Sequence, residues 1–272
     1  MYSVTQRAKK FKQPYGGFIR PAEFETIALD DGKNLNDEEN ISPILIGIVV
    51  DYMTRLMTGT SVAEAFFPSI QGAEIATQYK YGTGKEFRNE IEKLAKMYCE
   101  IRDLDDQSIA VACKMASFDV WKRNRMSAML MNSSYEEINA DRKTIENIRI
   151  MVERGIHMWD IYGPVVKSGF TFEPNGYTDI ISTGDGDYLT TDTMWDYKVS
   201  KNRITSKRTL QILMYWIMGK HSGKPEFENI TQLGFFNPRK NLVFLLKTQN
   251  IPQQVILKVE RDVIGYTSTI TK

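Results

Sequence analysis

The order of residue patterns predicts an α/β chain, with a helical N-terminal portion ahead of a β-β-β-α-β-β run. Three observations carry this. Apolar residues recur at helical spacing through most of 42–162. After Gly163-Pro164 that period gives way to short runs rich in β-branched and aromatic residues, at 169–173, 177–182 and 193–200. A further helical stretch at 206–219 then leads into two more such runs, at 230–236 and 242–246.

Composition bounds the class. The chain has 272 residues, 42% hydrophobic and 25% charged, which suits an ordinary globular protein with a proper core. The expected organisation is an N-terminal arm and loop (1–41), a helical region (42–163) packed on the core, and an α/β core (164–272), together one compact domain. No apolar run reaches the roughly 18 residues that span a bilayer, and no apolar signal core opens the chain, so the expectation is a cytoplasmic protein with no membrane partner. Two cysteines, Cys99 and Cys113, cannot make a disulfide framework. A net charge of +1 argues against coating nucleic acid through bulk electrostatics and leaves room for a local basic groove.

Residues 1–17 are basic (Arg7, Lys9, Lys10, Lys12) with Phe11 and Tyr15 interleaved, and either lie along a phosphate backbone or fray as a tail. The polar stretch 30–40 reads as a loop. Ser42 as N-cap and Pro43 at the first helical position start a helix that runs over 44–57 and stops near Gly59. Within its mostly apolar surface Asp51 stands out, either paired with Arg55 one turn on or directed at a cation. Helices are then expected at 62–67, 68–78, 85–101 and 106–122, a loop or short helix at 125–134, and a long helix capped by Asp141 that ends near 162. Glu153 and His157 share a face of that helix and could form a core hydrogen bond or offer an upstream ligand. Past 253 the alternation of Val255, Leu257 and Val259 suggests an edge strand.

The chemistry concentrates between Gly176 and Tyr215. The cluster Gly184-Asp185-Gly186-Asp187 reads as a turn between strands at 177–182 and 193–200. Alternation along the second strand turns Met194, Asp196, Lys198 and Ser200 to one side, and Trp195, Tyr197 and Val199 to the other. An acid and an amine thus share one face of an otherwise apolar strand, where desolvating them is costly. The pair is either a structural ion pair at a sheet end or part of a site. Asp31-Gly32-Lys33 and Asp141-Arg142-Lys143 have the same spacing, but in polar stretches. If the strands pair as a hairpin, Asp179 joins Asp196, and two close carboxylates require a shared proton or cation. Oxygen donors of this kind suit Mg²⁺ or Mn²⁺.

At these residues the chain resembles the PD-(D/E)xK nuclease superfamily, and within it the RecB-like exonucleases. The resemblance rests on Asp179 in Gly-Tyr-Thr-Asp-Ile-Ile, on Asp196-Tyr197-Lys198, and on Gln211-x-x-x-Tyr215 in the next helix. It covers the C-terminal third well and the rest loosely. It implies a restriction-endonuclease-like core, a mixed central sheet flanked by helices. Asp179, Asp196 and the Tyr197 carbonyl would hold Mg²⁺ or Mn²⁺, Lys198 would place a water or stabilise phosphate charge, and Gln211 and Tyr215 would brace the site. Ile46-Gly47-Ile48-Val49-Val50-Asp51 resembles an upstream motif with Asp51 where the family has histidine, which makes Asp51 a candidate third ligand.

The implied activity is a Mg-dependent deoxyribonuclease, an exonuclease leaving a 5′-phosphate. Its partner is DNA, with a second copy of the chain or a recombination partner protein left open. Lys201, Arg203, Lys207 and Arg208 form the densest basic cluster near the site, as a phosphate track or as a solvated loop and helix start. Two cysteines cannot supply the iron–sulfur cluster that some relatives carry, so none is expected. The rival readings are a nuclease-like module that binds DNA or protein without cutting, and a sequence-reading endonuclease on the same fold.

Overall fold

In the computed structural model, which describes residues 1–130 and 134–266, the chain forms two units. Met1–Leu29 joins Met158–Lys272 in one, and Asp30–His157 makes the other. The first unit opens with β1 (Tyr2–Ser3), α1 (Val4–Lys10) and β2 (Glu25–Ala28). The second holds α2 (Pro43–Met57), α3 (Val62–Ala65), α4 (Phe67–Tyr81), α5 (Lys85–Glu100), α6 (Asp106–Ala116), α7 (Asp119–Arg123) and α8 (Arg125–Leu130). The long α9 (Arg142–Tyr162) contains the boundary between units. The first unit resumes with β3 (Lys167–Phe170), β4 (Ile181–Thr183), β5 (Gly186–Leu189), β6 (Thr193–Tyr197), α10 (Ser206–Ser222), β7 (Gln232–Asn237), β8 (Leu242–Lys247) and α11 (Gln253–Lys258).

The fold is α/β, with a mixed six-stranded sheet ordered β2-β8-β7-β6-β5-β3 and flanked by helices. Only β6 and β7 run parallel, because the chain crosses between them through α10; the other neighbours are antiparallel. Alternation along β6 sorts its side chains into two layers. Met194 joins Leu210, Leu213 and Met214 of α10, Val4 and Ala8 of α1, and Val259 and Val263 in one core. On the opposite face Trp195 meets the rings of Trp159 and Tyr162, at 6.0 and 5.3 Å between centroids.

Several elements differ from expectation. The N-terminal segment, read as an arm along a phosphate backbone or a frayed tail, forms β1 and α1, with Arg7 donating to the carbonyls of Val263 and Asp262, both at 2.8 Å. β2 carries no alternating pattern, and its pairing with β8 was not legible in the sequence. The strand expected at 177–182 shrinks to β4, which pairs in parallel with β1 outside the main sheet. The expected turn at 184–187 instead supplies the start of β5, a strand of that sheet. Gly186 is required there by space, since a Cβ would lie 2.0 Å from Cζ of Phe170. The expected edge strand past 253 is helical, α11 continuing into a π-helical turn at Val259–Ile264. Val255, Val259 and Val263 face the core four residues apart, whereas Leu257 is exposed. α10 passes through Gly219 to end at Gly223, whose φ of 73° suits glycine at a helix C-terminus. The ring of Phe227 occupies the place of a side chain at 219.

The helical unit agrees more closely. Ser42 caps α2 by accepting from the Ile44 N–H at 3.3 Å, and Asp141 accepts from Thr144 N at 2.8 Å. Its core includes a buried ionic group in which Tyr52 donates to Asp119 and Arg123 pairs with Asp119 at 2.8 Å. Of the expected loop or short helix at 125–134, α8 covers the first part and residues 131–133 lie outside the described residues. Among the described residues no helix is long and apolar enough to cross a membrane.

Candidate active site

The antiparallel register of β5 and β6 pairs Tyr188 with Trp195 and Leu189 with Met194. One step further, the same register sets Asp187 opposite Asp196. Both carboxylates then lie on the face that carries Lys198, two residues beyond Asp196. Lys198 Nζ reaches Asp196 Oδ1 at 3.0 Å and Asp187 Oδ2 at 3.3 Å. Asp187 Oδ2 also accepts from the Tyr197 N–H at 2.9 Å, which ties the strand end to the acid. The N–H and C=O of one strand residue face the same neighbouring strand, so the Tyr197 carbonyl lies on the Asp187 side.

Burial is steep across this cluster. Asp196 is 2% exposed, while the Lys198 side chain keeps 32% of its surface in solvent. Burial pushes the Asp196 carboxyl above the usual aspartate range, and the neighbouring charge of Asp187 adds to this, against the opposing pull of Lys198 and Arg208. For Lys198 burial disfavours the ammonium, but Asp187 and Asp196 outweigh it and raise the pKa above the ordinary lysine value. Lys198 therefore stays charged through the neutral range.

One oxygen of each acid is unspent. Asp196 Oδ2 is buried without a hydrogen-bond partner among the described residues, and Asp187 accepts its bonds at Oδ2 alone. A buried carboxylate oxygen left bare is costly, and a cation or a proton is what would satisfy it. The donor set is two facing carboxylates and a strand-end carbonyl, all hard oxygens, so these residues fit Mg²⁺ or Mn²⁺. Among the described residues no group of three or more His, Cys, Asp or Glu is gathered for a metal, so any cation here rests on two side chains.

α10 adds the second half of the site. Gln211 and Tyr215 are one turn apart on its buried face, and Gln211 Nε2 donates to the Tyr215 hydroxyl at 2.9 Å. The same amide donates to Thr5 Oγ1 of α1 at 2.7 Å, and Arg208 Nη1 donates to Gln211 Oε1 at 3.2 Å. Burial raises the Tyr215 pKa, and the charges of Asp187 and Asp196 raise it further. Tyr215 is thus a protonated phenol close to both acids.

No protein-family model, curated protein or solved structure matches the chain.

The structure brings together Asp196, Tyr197, Lys198, Gln211 and Tyr215. It does not bring in Asp179, which is exposed in the bend before β4 with no hydrogen bond or ion pair among the described residues. Asp187 stands where Asp179 was expected, because β5 and not β4 is the hairpin partner of β6. Asp51 is ion-paired with Arg55 at 3.0 Å within α2, and Glu153 accepts from Lys33 Nζ at 2.6 Å. His157 is exposed on α9. Lys201, Arg203, Lys207 and Arg208 are all exposed, between the end of β6 and the first turn of α10. Thr5 was not anticipated; the Gly/Asp cluster did contain Asp187, and the signal that could have found it is the Tyr188-Leu189 pair that follows.

Proposed function

We propose that this chain is a nuclease of the PD-(D/E)xK type that hydrolyses phosphodiester bonds in DNA with the help of a divalent cation. Asp187 takes the place of the first acid. The observation that carries the proposal is the pair of facing carboxylates on β5 and β6, sharing Lys198 and leaving Asp196 Oδ2 buried without a hydrogen-bond partner among the described residues. A structural ion pair alone would gain little from a second acid, since like charges that close repel. A cation makes sense of both.

Asp187, Asp196 and the Tyr197 carbonyl would hold the cation. When bound it would supply Lewis-acid charge at the phosphate and make a nearby water more acidic. Lys198, held as an ammonium, cannot remove a proton; it donates hydrogen bonds that orient the attacking water and offset charge growing on the phosphoryl oxygens. Tyr215 keeps its phenol proton, and Gln211 fixes the ring by donating to its oxygen. Arg208 holds Gln211 from the other side and offers a charge for the adjacent phosphate. Water attack forms one P–O bond as the bond to the leaving sugar oxygen breaks, which by the family resemblance leaves a 5′-phosphate.

The test uses linear DNA with Mg²⁺ or Mn²⁺. Degradation that a chelator stops, and that Lys198→Ala abolishes without loss of the folded state, is the expected result. A shifted band without degradation would leave a binding module in its place, and full activity in Lys198→Ala would remove the assignment.

A further inference from the structure

α1 carries charge that the proposed hydrolysis does not use. Val4 and Ala8 bury one stripe of this helix against α10, and the side chains on either flank diverge in role. On one flank Arg7 is spent on the carbonyls of Val263 and Asp262 and lies 5.0 Å from the Phe11 ring centroid, which pins the helix in place. On the other flank stand Thr5 and Lys9, one turn apart. Thr5 touches Gln211 of the site, whereas Lys9 is exposed with no partner among the described residues.

The two helices run in opposite directions. Thr5 meets Gln211, and beyond the end of α1 Gln13 Nε2 donates to the Ser206 carbonyl at 3.1 Å, at the start of α10. Lys9 rises about 6 Å along the axis from Thr5. It therefore lies between these two contacts, beside the turn of α10 that carries Lys207 and Arg208. Lys12 adjoins Gln13 and is also exposed without a partner among the described residues. Lys207 shares a face with Gln211, four residues on. The cations on the two helices thus form a path that starts at Lys198 and leads outward between α1 and α10.

We infer that α1 is the second wall of a phosphate track. Lys9 and Lys12 take phosphates that flank the one held at Asp187, Asp196 and Lys198, which makes the substrate a polynucleotide strand and not an isolated phosphodiester. This rests on the nuclease reading. Phosphate contacts of this kind position a strand without reading its bases, so the track carries no sequence preference.

The test is binding of a single-stranded oligonucleotide in chelator, where no cleavage occurs, across a salt series. The unsubstituted protein is compared with K9A/K12A and with K9R/K12R, and all are assayed with Mg²⁺ or Mn²⁺ on bis(p-nitrophenyl) phosphate, a diester too small to reach α1. Two lost phosphate contacts should lower the slope of log affinity against log salt by about 1.4 and weaken binding roughly tenfold at moderate salt. The arginine variant should restore binding, and hydrolysis of the small diester should be equal in all three. An unchanged slope in K9A/K12A overturns the track, whatever the cleavage result. If no protein hydrolyses the small diester or DNA while binding still depends on Lys9 and Lys12, the track stands and the nuclease reading fails.

Discussion

Asp187 stands directly across the hairpin from Asp196, and the ammonium of Lys198 holds one oxygen of each, at 3.3 and 3.0 Å. That relationship separates two aspartates of the same stretch that a motif search would treat alike. If the proposed function holds, Asp187→Asn should lower metal-dependent DNA hydrolysis by on the order of 10²-fold or more, because it would remove a proposed cation ligand and a partner of Lys198. Asp179→Asn, at an exposed bend, should change the activation free energy by less than about 0.5 kcal/mol. Side-by-side initial rates on one linear substrate decide it; equal losses in both would return Asp179 to the site.

The raised pKa of Asp196 gives a pH dependence with a definite sign. In chelator the folded protein binds this proton more tightly than the unfolded chain does. Its contribution to stability is therefore greatest at low pH and is lost as pH rises from about 3.9 towards the folded value. Asp196→Asn should flatten that part of the curve. Added Mg²⁺ or Mn²⁺ competes with the proton, so it should raise the melting temperature more at neutral pH than near pH 4.5. Calorimetry of both proteins with and without the cation reads each effect, and an unaltered pH slope in Asp196→Asn would assign it to other carboxylates.

Gly186 is a lever on the same acid from beneath. A methyl group there would press on the ring of Phe170, 2.0 Å from its Cζ, at a cost of about 1–3 kcal/mol. Gly186→Ala should lower the melting temperature, and hydrolysis with it, since Asp187 is the next residue. Trimming the ring with Phe170→Leu in the same protein should recover part of both losses. Additive losses would show that the two positions do not press on one another.

Under the proposed nuclease reading, Thr5 would act on the reaction through Gln211. Thr5→Ala removes an acceptor from the Gln211 amide and should cost about 1 kcal/mol in kcat, with little change in KM. Thr5→Ser should restore the rate. A change in KM alone would make Thr5 a binding contact and not a positioning residue.

The helical unit allows a control away from the site. Asp119 is 2% exposed and is held by Tyr52 and Arg123. Asp119→Ala should destabilise by about 1–3 kcal/mol by leaving the Tyr52 hydroxyl buried without its acceptor. Denaturant unfolding measures this, and an unchanged midpoint would show that Tyr52 finds another partner.

What was legible in the sequence follows from where each signal comes from. Alternation is local, so the two faces of β6 and the placement of Asp196 and Lys198 could be read directly, as could the caps at Ser42 and Asp141. One helical turn puts Gln211 and Tyr215 on a common face, but it was the resemblance to the RecB-like exonucleases that singled them out. The pairing of strands is not local. Asp187 sits among glycines that look like a turn, and only the ring of Phe170 on the neighbouring strand explains why a strand position at 186 is a glycine. The tail failed for a related reason: Val255 and Val259 satisfy a period of two and a period of four, and only the exposure of Leu257 between them separates the two. Thr5 carries no motif, and its role depends on α1 docking beside α10.

The pairing of β2 with β8 and of β1 with β4 bears on synthesis. Asp30–His157 is an unbroken segment and can finish folding soon after it leaves the ribosome. The opening 29 residues have no such option. They must wait, unpartnered, until the strands that receive them, β4 at Ile181–Thr183 and β8 at Leu242–Lys247, have been translated.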